Sequence, residues 1–138
     1  MKNKYLPFQI GEQYENWEFD LEYLQEEKIS GYDSYLYLWK KLFLHITPSR
    51  IELIFSLDIL QVVIMTCEFE NLEQLNQFRE ILDKKFGNKR KMEESNTEIY
   101  KIMDLELWVV RTSFKIGMNL YYGNSNKIEI ICNKYRGY

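Results

Sequence analysis

The sequence predicts an α+β domain in which a mainly antiparallel sheet packs against one principal helix. Residues 50–67, RIELIFSLDILQVVIMTC, hold two apolar runs split at Leu57-Asp58. In the first, Ile51, Leu53 and Phe55 recur at period two, which with β-branched and aromatic residues predicts a hairpin. The second places Val62, Ile64 and Thr66 on one face and Val63, Met65 and Cys67 on the other, so this strand is expected to be central and covered on both sides. Residues 72–86 then supply Leu75, Phe78, Leu82 and Phe86 at helical steps of three and four, with Ile81 beside the stripe.

A length of 138 residues suits a single domain, residues 1–138, able to bury a core without metal or disulfide staples. Hydrophobic residues at 46% and aromatics at 16% exclude wholesale disorder.

In chain order, Leu6, Phe8 and Ile10 alternate around Pro7 and Gln9, and the proline restricts this stretch to an edge segment docked on the body. Residues 12–27 satisfy two periods. As a strand, Trp17, Phe19, Leu21 and Tyr23 oppose Glu18, Asp20 and Glu22; as a helix, Tyr14, Trp17, Leu21 and Leu24 share a face but strand Phe19 and Tyr23 opposite. The strand is the better fit. Ser30-Gly31 predicts a turn, and residues 32–39 a further strand with Tyr35, Tyr37 and Trp39 opposite Leu36 and Leu38. A run at residues 42–46 follows and stops at Pro48.

The helix at residues 72–86 has Asn71 as N-cap, Gln74 three positions on, Lys84 and Lys85 in the last turn, and Gly87 at the permissive position beyond the end. Residues 88–96, NKRKMEESN, predict a polar loop. Strands are expected at 98–103, 105–113, 115–122 and 127–132, with Asn124-Ser125-Asn126 as the last turn and a polar, aromatic tail. The apolar runs 42–44, 51–55 and 62–65 recur as 108–110, 118–122 and 128–131, an offset of about 66 residues that predicts two repeated strand meanders flanking the helix.

Chemistry is sparse. His45 is the sole histidine, which excludes a two-histidine metal site, and Asp33, Asp58 and Asp104 have no metal-loop spacing. The nucleotide, dinucleotide, redox and hydrolase signatures GxxxxGK[ST], GxGxxG, CxxC and GxSxG are missing, so neither cofactor nor metal is expected. Cys67 and Cys132 each end an apolar run and read as reduced thiols of a cytosolic protein. The opening MKNKYLPFQIG has two lysines but no long apolar region after them, so a secretion signal is not expected, and no run is long enough to cross a bilayer as a helix. Three consecutive basic residues at 89–91, followed at once by Glu93 and Glu94, are too few for a nucleic-acid patch.

The positive feature is surface material. Eleven tyrosines and three tryptophans exceed what one small core buries, and tyrosine couples apolar area with a hydroxyl. Tyr14, Tyr23, Tyr32, Tyr35, Tyr37, Tyr121 and Tyr122 are candidates for partial exposure. Residues 12–27 carry seven acidic residues and no basic one, so Glu15, Glu18, Asp20 and Glu22 with Tyr14, Tyr23, Tyr35 and Tyr37 make a candidate surface for a basic protein partner. Charge is uneven overall, with 6 Lys/Arg against 11 Asp/Glu in residues 1–69 and 12 against 10 thereafter.

The pattern IGxxYxNWEFDLE at residues 10–22, followed by YDSYLYL at 32–38, resembles the opening of small bacterial proteins found beside toxin genes and regarded as immunity proteins. The resemblance covers about a fifth of the chain and implies a cytosolic, non-catalytic protein that binds and blocks a cognate toxin. Two other classes stay open: a homo-oligomeric structural protein that buries its aromatic excess in self-association, and a small enzyme using His45 with Cys67, Cys132 or a carboxylate.

Overall fold

The computed structural model describes residues 3–92, 96–113 and 115–135. Strands β1 (Leu21–Leu24), β2 (Asp33–Tyr37), β3 (Arg50–Ser56) and β4 (Ile59–Glu68) lead to helix α1 (Leu72–Phe86). Strands β5 (Lys89–Met92), β6 (Thr97–Ile102), β7 (Leu105–Arg111) and β8 (Gly117–Gly123) then lead to helix α2 (Ser125–Tyr135). The eight strands form one antiparallel sheet ordered β1-β2-β3-β4-β8-β7-β6-β5. Two four-stranded meanders thus meet at the central pair β4 and β8.

The organising hairpin is where the sequence places it. Leu57 and Asp58 carry φ of 50° and 65°, the left-handed pair that a two-residue hairpin loop of type I′ requires, and registers Leu53↔Val63 and Ile54↔Val62 put successive pairs on opposite faces. One face carries Leu53, Phe55, Val63, Met65, Leu107 and Tyr122 under Leu75, Phe78 and Leu82 of α1, with Leu6, Phe8 and Phe43 filling the remainder. The other carries Ile54, Val62, Ile64, Ile99 and Trp108 under Ile128, Ile131 and Cys132 of α2. Asn71 caps α1 by accepting from the Gln74 amide at 2.9 Å, while the Gln74 carboxamide reaches back to the amide of Glu70 at 3.0 Å. Gly87 closes the helix at φ 83°.

Several expectations are corrected. Residues 12–27 are a strand only at Leu21–Leu24; 3-10 turns at Tyr14–Asn16 and Glu18–Asp20 come first. The N-terminal segment is already tied to the start of β4, by Gly11 N–H to Leu60 O and Leu60 N–H to Glu12 O at 2.9 Å, so the chain must turn to reach the far sheet edge. Residues 42–46 are a tight turn rather than a strand, closed by reciprocal bonds of 2.8 and 3.0 Å between Phe43 and Ile46, with Leu44 and His45 at positive φ.

The expected loop at 88–96 contains edge strand β5, whose cations pair with carboxylates of β6 and β7, Lys89 with Glu98 at 3.1 Å and Arg90 with Glu106 at 3.2 Å. Residues 93–95 lie outside the described part, as do the last three of the tail. The expected strand at 127–132 is helix α2. Its buried residues Ile128, Ile131 and Cys132 follow steps of three and four, whereas Ile130, which strand alternation groups with Ile128, is 51% exposed. Asn124 starts this helix, its side chain accepting from the Asn126 amide at 3.0 Å, so the expected turn is a cap. Two meanders exist, but the expected correspondence between them fails where 42–44 is a turn and 128–131 is helical.

Candidate protein-binding surface

The acidic and aromatic residues of the N-terminal part converge because the first 3-10 turn is pinned to the β3–β4 hairpin. Tyr14 N–H donates to Asp58 O at 2.7 Å, and Glu15 and Glu18 then line an open concavity with Gln13, Leu57 and Asp58. Three carboxylates line it without a cation. At its rim Leu57 is 93% exposed, held out by the tight hairpin turn.

Tyr35 is the hub of the aromatic part. Its ring lies 5.0 Å from Tyr14, 5.6 Å from Tyr23 and 5.7 Å from Phe55, centroid to centroid. Burial pushes its hydroxyl up, and Tyr14, Asp33, Asp58 and Tyr23 add to the shift, which places Asp33 and Asp58 in the same negative field. Tyr37 belongs to the adjoining group, 5.0 Å from Phe8; burial and Asp20 raise its hydroxyl likewise. Asp20 clasps the next turn, accepting from Trp39 Nε1 at 2.8 Å through its side chain and from Leu38 N–H at 2.9 Å through its carbonyl. Phe19, Leu38 and Trp39 form an exposed apolar fringe beside it.

The structure therefore brings together Glu15, Glu18, Asp20, Tyr14, Tyr23, Tyr35 and Tyr37 of the expected surface. Glu22 is the exception: on β1 it alternates with Leu21 and Tyr23, pairs with Leu36, and faces the opposite side of the sheet. Tyr122 is also corrected, being fully buried with its hydroxyl donating to Phe8 O at 2.7 Å and accepting from Phe8 N–H at 3.0 Å. Sequence reasoning missed Asp33, Leu57, Asp58, Phe19 and Trp39. Leu57-Asp58 was visible as a turn, but only the strand order places that turn against residues 14–18.

Other chemistry finds little support. His45 is exposed on its tight turn, Cys67 is buried under the α1 face, and Cys132 is buried on the α2 face, so the sheet separates the two thiols. Burial raises the Cys67 thiol to about 12, the reverse of what a nucleophile needs. Among the described residues no cluster of three or more His, Cys, Asp or Glu could hold a metal ion. No helix among them is long and apolar enough to cross a membrane.

At the other end of the sheet, a concavity is lined by Arg79, Lys91 and Arg111 against one carboxylate, Glu98, which Arg79 already holds at 2.9 Å. The two concavities thus differ in sign, carboxylate-lined beside the β3–β4 turn and cation-rich beside β5–β7. No family model, curated protein or solved structure matches the chain.

Proposed function

We propose that this chain is a non-catalytic protein-binding module of the immunity type, which takes a basic protein partner, a cognate toxin, on the surface built by Tyr14, Tyr23 and Tyr35 with Glu15, Glu18 and Asp58. The observation that carries the reading is the convergence of exposed carboxylates on a half-buried tyrosine cluster around Tyr35. Rigid aromatic rings supply interface area at little entropic cost, and a rim of one sign steers an oppositely charged partner. The N-terminal pattern that resembles immunity proteins contributes Tyr14, Glu15, Glu18 and Tyr35 to this surface. On this reading the protein works in the cytosol, with Cys67 and Cys132 as thiols.

The test uses the product of a toxin-like reading frame adjacent to the gene. Association should be fast at low salt and slow as salt rises. The triple variant Glu15→Lys, Glu18→Lys, Asp58→Lys should lower the association rate by one to two orders of magnitude, roughly, and flatten its salt dependence. Glu129→Lys, on the exposed side of α2, should leave both unchanged. Unaltered rate and affinity in the triple variant would remove this surface from the interface.

A further inference from the structure

We propose that the outer edge of β1 accepts an extended segment of the basic partner as a ninth strand, a segment in which Lys or Arg alternates with apolar residues. This rests on the reading above and specifies how the partner is held. Among the described residues, β1 and β5 are the two edges of the sheet, and each leaves one row of backbone donors and acceptors without a strand beside it.

The edges differ in how they are defended. Strand β5 presents Lys89, Arg90 and Lys91, a run of charge that resists strand addition. Strand β1 reads Leu21-Glu22-Tyr23-Leu24, with one charge, and exposed Phe19 lies just before it. Strand addition supplies main-chain hydrogen bonds, and side-chain alternation sets the specificity. On the α1 side, an added strand meets Leu21 and Tyr23, the latter already against Tyr35, and this favours apolar side chains. On the α2 side it meets Glu22 and Leu24, and the strand position opposite Glu22 favours Lys or Arg.

The same charges argue against a second copy as the occupant. Two-fold pairing of β1 with β1 sets Glu22 near its own symmetry mate, with Glu18 and Asp20 of both copies close by. Pairing of β1 with another copy's β5 draws on Lys89 and Arg90, which are already bound to Asp83 and Glu98 and to Glu106.

The probe is a synthetic hexapeptide alternating lysine and valine, titrated into the isotopically labelled full chain and followed by amide NMR. Shifts confined to the β1 and β2 amides are expected, together with loss of binding when the alternate peptide nitrogens of one register are methylated but not those of the other, and loss when glutamate replaces lysine. Glu22→Lys should weaken the peptide by about three- to tenfold. Glu22 faces away from the acidic tyrosine surface, so its effect isolates edge pairing from that surface. Absence of β1 shifts, equal binding of peptides methylated in either register, or shifts centred on Lys89–Met92 would each overturn strand addition. Concentration-dependent self-association at low salt, with shifts at both edges, would replace the partner by a second copy and overturn it too. The reading of the surface itself falls only if the triple reversal leaves toxin binding unchanged, whatever the peptide does.

Discussion

Glu98 and Glu106 are buried carboxylates whose acidity is set by their partners. Burial alone would raise both, yet both lie below the ordinary range, because Arg79 and Lys89 bind Glu98 while Trp108 Nε1 and Arg90 bind Glu106. Their protons are therefore held more weakly in the folded chain than in the unfolded one. The resulting stabilisation is complete above the unfolded glutamate pKa of about 4.3 and is lost as pH falls through the lower folded values. Urea titrations across acidic pH should show this loss, and Glu98→Gln should be less stable at neutral pH by about 1–3 kcal/mol and flatter on acidification. Cys67 shifts the other way, because burial raises its thiol and no charged group offsets that desolvation. Thiol labelling of native protein should be far slower at Cys67 than in denaturant; equal rates would contradict its burial.

At the scale of elements, α1 and α2 show how much of a helix a sequence announces. Helix α1 carries an N-cap, a four-residue apolar stripe, terminal lysines and a closing glycine, and its boundaries are those of the pattern. Helix α2 is short, and Ile128, Ile130, Ile131 and Cys132 fit period two as well as a helical stripe until one knows which isoleucine is buried. Substitution decides between the two. Ile131→Ala should cost about 2–4 kcal/mol by opening a cavity against the sheet, while Ile130→Ala should stay within about 0.5 kcal/mol. Glycine matters where β8 runs beside β4: at Gly123, with φ 150°, a Cβ would lie 2.5 Å from the Gln61 carbonyl oxygen, closer than a methyl group can approach.

At the scale of the whole molecule, β4 and β8 join two meanders into one sheet, and α1 and α2 close opposite faces across that seam. Neither meander keeps both faces covered without the other. Thermal unfolding should therefore be one cooperative transition, with calorimetric and van't Hoff enthalpies equal; two resolved transitions would show the meanders folding independently. The sequence by itself determined the α+β class, the β3–β4 hairpin, the faces of β4 and the limits of α1, since each follows from local periodicity and caps. It also determined that residues 12–27 are uniformly acidic. Only the tertiary structure decided that β5 is a strand, since its lysines and arginine look like solvated loop until Glu98 of β6 and Glu106 of β7 come within ion-pair reach. It alone decided that Tyr14, Tyr35 and Asp58 meet while Glu22 turns away. Those contacts join residues tens of positions apart, and strand order and register, not local sequence, fix which side chains share a face.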